Sequence, residues 1–347
     1  MYMSKQVKVG KLTLGDKNPV KIQSMLSTRW EDFDKAVKQA QELEKAGCEI
    51  VRIAVPTMES AQLIPILKNN ISIPLVADIH FDYRLALKAV ELGIDKVRIN
   101  PGNIGEIENV KRVADACKAK NIPIRIGVNS GSLQKEVLEK YGAPTPEALV
   151  ESAAIHASLL ERFDFDDIVI SIKSSNPVST IKAYRLAHER FDYPLHLGVT
   201  EAGTERMGII KSAIGIGGLL ADGIGDTIRV SLTGDPVKEV YAAKDILKAL
   251  GKKGYGPNLI CCPTCGRTKI DLISLAEKVE KRLSTYNKDI TVAVMGCVVN
   301  GPGEAREADI GLAGGVGKGV IFKKDEILGT YPEEELLHRL FLEIDKL

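Results

Sequence analysis

Cys262-Pro-Thr-Cys265 and, further on, Cys297 within Met295-Gly-Cys-Val-Val-Asn-Gly-Pro-Gly-Glu304 are the sharpest chemical signal in this chain. A C-x-x-C pair puts two thiolates on one turn within reach of one metal, and glycine-rich backbone beside a ligand lets it approach closely. A thioredoxin-type redox pair would leave the third cysteine unexplained and lacks its βαβ setting. A structural zinc site normally has four Cys or His ligands, and this region adds only His338 and Cys261, the latter adjoining Cys262. Inert buried cysteines are the remaining plain reading. Three thiolates without a fourth suit an iron–sulfur cluster that works on substrate, because four cysteines are the usual set and another residue must then take the last iron. Glu304 is the candidate, since a carboxylate holds iron more weakly than a thiolate and can leave when substrate arrives. A solvated loop glutamate would do none of this.

A second constellation is cationic. Short Val- and Ile-rich runs carry Arg52, Arg98 with Asn100, Arg125, Lys173 after Ser171, His196, and Arg229 with Ser231. If the aliphatic residues of each run face outward, the residues between them point to the opposite face. Four arginines and a lysine sharing one interior repel unless neutralised, and each left unpaired costs several kcal/mol. Asp78, Glu201 and Asp226 are acidic partners but are fewer than the cations. The surplus implies an anionic ligand, and guanidinium forks fit phosphate oxygens bidentately. Glu201 follows the seventh run and can serve as a proton donor or as an arginine's ion-pair partner.

The elements that must position these residues repeat one device from about Val20 to Leu232: an apolar run, a polar break, then a helical pattern. Eight runs begin at Val20, Ile50, Pro74, Lys96, Pro123, Asp167, Pro194 and Asp226. Eight alternating βα units predict a parallel (β/α)8 TIM-type barrel, with an active site at the C-terminal ends of its strands. An open doubly wound sheet would need a glycine-rich fingerprint after its first strand, where Gln23-Ser24-Met25 stands instead. After the helical stretch Val237 to Leu250, Gly251-Lys-Lys-Gly254-Tyr-Gly256-Pro257 reads as a hinge. The division expected is a barrel over residues 1–250 and a smaller α+β domain over 251–347, with strands near Leu259 and Ile290–Met295 and helices at 271–283 and from Glu333. Gly314-Gly-Val-Gly317-Lys318-Gly319 fails as a phosphate-binding loop, because Leu312 and Gly319 occupy required positions. Cys48 and Cys117 sit in apolar helical settings and read as core.

Composition excludes other classes. With 47 Lys+Arg against 46 Asp+Glu over 347 residues, neither a polycationic nucleic-acid binder nor an acidic tail is expected. Aromatics at 5% leave little to stack on bases. No run approaches the ~18 apolar residues of a membrane span, and Met1–Gly10 lacks a secretory apolar run, so a cytoplasmic protein without membrane association is expected. Six cysteines are too dilute for a disulfide scaffold.

Longer motifs carry a resemblance. Gln23-Ser-Met25, Val76-Ala-Asp-Ile-His-Phe-Asp-Tyr-Arg-Leu-Ala-Leu87, Val97-Arg-Ile-Asn-Pro-Gly-Asn-Ile-Gly105, Ile124-Arg-Ile-Gly-Val-Asn129, Pro194-Leu-His-Leu-Gly-Val-Thr-Glu-Ala-Gly203, Gly223-Ile-Gly-Asp-Thr-Ile-Arg-Val-Ser-Leu232 and the cysteine motifs together cover nearly the whole chain. By these the chain resembles the 4-hydroxy-3-methylbut-2-enyl diphosphate synthase family, in its two-domain bacterial form. The resemblance implies reductive opening and dehydration of 2-C-methyl-D-erythritol 2,4-cyclodiphosphate, with single electrons from flavodoxin or ferredoxin. It implies a [4Fe-4S] cluster on Cys262, Cys265, Cys297 and Glu304. It also implies a diphosphate pocket at Arg52, Arg98, Arg125, Asn129, Lys173, Arg229 and Ser231, and a homodimer in which one subunit's cluster domain covers the other's barrel. Cys261 stands where a serine is commoner, which leaves open which of the adjacent pair ligates. Two other readings remain: a barrel aldolase or pterin-type synthase with a zinc-stapled tail, and an iron–sulfur carrier, against which the cationic interior argues.

Overall fold

The computed structural model describes residues 4–286, 288–297, 308–324 and 326–347. The chain divides into two compact units, Met1–Ile246 and Leu247–Leu347. The first opens with an antiparallel hairpin, β1 (Val7–Val9) and β2 (Leu12–Leu14). Eight strands follow: β3 (Lys21–Met25), β4 (Ile50–Ala54), β5 (Leu75–Asp78), β6 (Lys96–Ile99), β7 (Ile124–Asn129), β8 (Ile168–Lys173), β9 (His196–Leu197) and β10 (Thr227–Ile228). They pair in parallel in the order β8-β7-β6-β5-β4-β3-β10-β9, and a bridge from Ile170 to Leu195 brings β8 round to β9. Each expected run is a strand, and the sheet is the TIM-type barrel that alternating βα units require.

Local chemistry sets where the helices begin. Asp32, Asp82 and Thr145 each accept a backbone N–H of the first helical turn from Lys35, Arg84 and Ala148. Asn176 accepts from both Val178 and Ser179, and Pro177 needs no donor at the first helical position.

Two features were not legible beforehand. Val7, Val9 and Leu14 of the hairpin pack with Ile50, Val76 and Val169, residues near the strand starts, and so seal that end of the barrel with apolar surface. Where the β8–β9 ladder is thin, the buried Tyr184 hydroxyl accepts from Ile172 N at 3.0 Å and donates to the His196 carbonyl. One side chain thereby replaces missing ladder bonds.

The second unit is a mixed five-stranded sheet: β11 (Asn258–Cys261), β12 (Thr291–Met295), β13 (Ile310–Gly314), β14 (Lys318–Lys323) and β15 (Glu326–Pro332), in that order. The first three strands are parallel and the last two return antiparallel. Helices Leu272–Leu283 and Glu333–Asp345 cover one face, burying Leu275, Val279, Leu336 and Leu340 against Val292, Val294 and Leu312. Their spacing of three and four residues is that of a one-sided helix. The glycine-rich stretch Gly314–Gly319, which failed as a phosphate-binding loop, is the turn of the β13–β14 hairpin.

Candidate functional site

Period-two alternation decides what lines the barrel. On β7, Ile124, Ile126 and Val128 alternate with Arg125, Gly127 and Asn129, and the latter three border a cavity at the strands' C-terminal ends. That cavity, of about 140 Å³, is lined by Arg52, Arg98, Arg125, Gly127, Asn129, Ser171, Lys173, Thr200, Arg229 and Ser231. Seven of these were anticipated as binding residues: Arg52, Arg98, Arg125, Asn129, Lys173, Arg229 and Ser231. They come from four different strands and the segment after β10, so only barrel closure gathers them.

Two anticipated residues do not reach the lining. Asn100, buried after β6, spends its side-chain oxygen on Gly102 N at 3.1 Å and so shapes the Pro101–Asn103 turn. His196 is wholly buried on β9, with Nδ1 at 2.8 Å from Thr227 Oγ1 and Nε2 without a partner among the described residues. Burial first, then the Arg125 charge, holds its pKa well below the ordinary value, so the imidazole is neutral.

Neutralisation of the cations is sparse. Asp78 accepts from Arg52 Nη2 at 2.6 Å and from Arg98 Nη1 at 3.0 Å. Burial alone would raise its carboxyl, but the Arg52 charge, His80 and the Arg98 charge outweigh it and hold it below the ordinary value. His80 places Nε2 at 2.9 Å from Arg98 Nη1. Arg229 is met by Glu239, a buried residue of helix Pro236–Ala249. Glu239 also accepts from Ser24 Oγ at 2.8 Å and from Leu232 N at 3.1 Å, which fixes the segment carrying Ser231. Arg125 is 1% exposed, and its Nε and Nη1 have no partner among the described residues. Burial draws Arg52 down to about 10 against the pull of Asp78.

Two of the three acidic partners expected from sequence act otherwise. Asp226 sits at the start of β10 and binds Ser4 Oγ and Leu195 N, so it tends the opposite end of the barrel from the cations. Glu201 is exposed, has a left-handed backbone with φ of 50°, and makes no ion pair among the described residues. The arginine-partner alternative for Glu201 therefore finds no support; the residue stands one position past Thr200 of the lining.

Sequence reasoning missed Glu239, Lys96, Gly127, His80 and Thr200. Lys96 and Gly127 had a signal, since each lies two residues from an inward arginine on its own strand. A Cβ at Gly127 would lie 2.5 Å from Arg98 Nε, and one at Gly198 would lie 3.0 Å from Lys173 Nζ. These two glycines make room for the cations. Glu239 had none, because an acid in an amphipathic helix reads as solvated.

In the second unit, parallel pairing of β11 and β12 brings their C-terminal ends together. Cys262 follows one and Cys297 the other, and Cys262 Sγ accepts from Gly296 N at 3.1 Å. Cys265 is exposed, and the Arg267 backbone N–H and side chain lower its thiol pKa, which favours the thiolate. Cys261 points its thiol to the Cys262 carbonyl, and burial raises it. All six cysteines are free; Cys48 and Cys117 are core, each pushed up to about 12 by burial. Glu304 lies outside the described residues. Among the described residues no three His, Cys, Asp or Glu side chains are gathered into one metal-binding group, so Cys262, Cys265 and Cys297 are not brought together as a single donor set. Thiolates are soft ligands that serve both iron–sulfur clusters and zinc.

Comparisons with known proteins fit both units. The GcpE TIM-barrel domain matches residues 4–244, and the GcpE protein C-terminal domain matches residues 258–346. A 4-hydroxy-3-methylbut-2-en-1-yl diphosphate synthase (flavodoxin) of Clostridium perfringens is 62% identical over 337 residues, 97% of each chain. One of Caldanaerobacter subterraneus is 59% identical over 345 residues, 99% of this chain and 97% of that one. Among solved structures, dihydropteroate synthase of Stenotrophomonas maltophilia matches with a TM-score of 0.52 at 15% identity, over 72% of this chain and 97% of that one. That last likeness speaks for the fold alone.

Proposed function

The chain belongs to the GcpE family of 4-hydroxy-3-methylbut-2-en-1-yl diphosphate synthases, and from that premise we propose how its residues divide the reaction. It is an iron–sulfur oxidoreductase that takes electrons from flavodoxin. It opens and reductively dehydrates 2-C-methyl-D-erythritol 2,4-cyclodiphosphate to 4-hydroxy-3-methylbut-2-enyl diphosphate in the non-mevalonate route to isoprenoids. No described helix is long and apolar enough to cross a membrane.

The cationic cavity receives the diphosphate. The observation that carries this is four guanidinium groups and Lys173 in one concave site with two carboxylates, Asp78 and Glu239, between them. Arg125, with two unpartnered nitrogens, has the most to gain from phosphoryl oxygens, since an unsatisfied buried donor costs about 1–3 kcal/mol. Asp78 fixes Arg52 and Arg98, and Glu239 fixes Arg229, so the donors are oriented before substrate arrives and stabilise charge that grows on the leaving oxygen. Ser231 and Asn129 add neutral contacts at the rim. Asn100 and His196 support the site from its turn and its floor. Glu201 is the proton donor to the departing hydroxyl, supported by its place after Thr200.

Cys262, Cys265 and Cys297, with Glu304 as the exchangeable fourth ligand, hold a [4Fe-4S] cluster. When bound it supplies single electrons and a Lewis-acidic iron. Support comes from the Cys262–Cys265 spacing and the motif around Cys297. The barrel over 1–250 and the cluster domain over 251–347 act as a homodimer in which one subunit's cysteines serve its partner's barrel, supported by the family resemblance alone. Cytoplasmic location belongs to the same reading. An anaerobic assay with the cyclic diphosphate and reduced flavodoxin is expected to yield the open allylic diphosphate. Binding of the cyclic diphosphate without any reduction, in protein loaded with iron and sulfide, would refute this assignment.

A further inference from the structure

Among the described residues, two lysines inside the barrel have no counter-ion. Lys96 is fully buried on β6, two residues before Arg98 and so on the same face one tier deeper, and its Nζ has no partner among the described residues. Facing it are Arg125 from β7, Arg52 from β4 and His196 from β9. Gln23 of β3, also unpartnered, is uncharged, and the sealed end of the barrel beneath is apolar. Lys173 on β8 lines the cavity and has no carboxylate within ion-pair distance among the described residues. Arg125, Arg229, Arg52 and Arg98 face it. The acids of the barrel are committed elsewhere: Asp78 to Arg52 and Arg98, Glu239 to Arg229, Asp226 to Ser4 and Leu195, while Glu201 is exposed. Burial, reinforced by the neighbouring guanidinium charges, pushes both lysines well below their ordinary value. Guanidinium groups do not release their protons in this way. With both amines counted as neutral, four arginines against Asp78 and Glu239 give the site two positive charges in excess.

We propose that Lys96 and Lys173 form a charge-matching pair, neutral beside the cyclic diphosphate and taking up one proton between them when the ring opens. This rests on the function proposed above. The cyclic diphosphate carries one ionised oxygen on each phosphorus and nothing that titrates near neutrality, so it matches the excess as it stands. Ring opening breaks a carbon–oxygen bond and leaves the oxygen on phosphorus. That phosphoryl group now has a second ionisable oxygen, with an ordinary pKa of about 6. In balanced form, the dianion, two electrons from reduced flavodoxin and one proton give the open trianion and water. The added negative charge lies in a dry cavity whose neutral bases are these amines. A proton from solvent on either restores balance, and product affinity falls as pH rises while affinity for the cyclic ligand stays level.

Calorimetric titration of the iron–sulfur-loaded enzyme without reductant tests this. At pH of about 8.5 the open diphosphate is already trianionic, and buffers of different ionisation enthalpy report the protons exchanged. The cyclic diphosphate should bind with no net proton, and the open product with uptake of about one proton per site. Equal proton counts for the two ligands in the wild-type protein would overturn the pairing. Failure of the cyclic diphosphate to bind would instead overturn the function proposed above. The double variant Lys96→Met/Lys173→Met then locates the proton: product-linked uptake should vanish in it, and retention of that uptake refutes the assignment.

Discussion

Glu239 holds Arg229 with both carboxylate oxygens, Oε2 on Nε and Oε1 on Nη2, each at 3.2 Å. The same carboxylate receives Ser24 Oγ and Leu232 N, so one buried acid ties β3, the end of β10 and the following helix to a substrate-facing cation. Removing one partner of a buried pair leaves an uncompensated charge, which costs about 3–5 kcal/mol. Glu239→Ala should therefore lower the urea unfolding midpoint clearly. An unchanged midpoint would show that the pair contributes nothing to the barrel.

Arg125 is the pocket arginine with no acid in ion-pair distance among the described residues. Charge-assisted hydrogen bonds contribute about 1.5–3 kcal/mol each, so Arg125→Ala should weaken binding of the cyclic diphosphate by roughly ten-fold or more. Calorimetric titration measures it; wild-type affinity would remove Arg125 from the site.

Gly127 tests the packing of the donors without touching any of them. Ala at this position puts a methyl where Arg98 Nε lies at 2.5 Å, so the guanidinium must leave its place beside Asp78. The expected outcome is a raised KM with little loss of folding stability, read from steady-state kinetics and thermal unfolding together. Normal KM would mean that Arg98 accommodates the methyl and keeps its contact.

Asp78 gives a pH dependence with a definite sign. Its carboxyl is held below the ordinary value of 3.8 in the folded barrel, so the unfolded chain takes up that proton first as pH falls. The stability it contributes is complete above 3.8 and declines below it. Wild type should lose stability more steeply than Asp78→Asn between about pH 5 and pH 3, as followed by urea midpoints. Parallel slopes would deny Asp78 this role.

The adjacent cysteines separate by one exchange each. Cys262 has its sulfur on Gly296 N, beside Cys297, whereas Cys261 turns its thiol to a carbonyl. Cys262→Ser and Cys297→Ser should lose iron, sulfide and the brown chromophore. Cys261→Ser should keep all three, and bleaching of that variant would reassign the ligand.

Much of this was readable in the residue order, for a physical reason. Strand alternation has a period of two, so Arg52, Arg98, Arg125, Lys173 and Arg229 between aliphatic neighbours already declare one shared interior, and eight repeats of strand and helix declare the barrel around it. Thiol spacing of the Cys262–Cys265 kind is local chemistry and needs no fold to be seen. What depends on three dimensions is which charges meet. Asp226 and Asp78 look alike in sequence, yet strand position sends one to the closed end of the barrel and the other between two arginines. Glu239 becomes the counter-ion of Arg229 only because helix Pro236–Ala249 folds back onto β3 and β10. Pairing across the ring is fixed by closure, shear and register, which are properties of the whole sheet, and no stretch of chain carries them by itself.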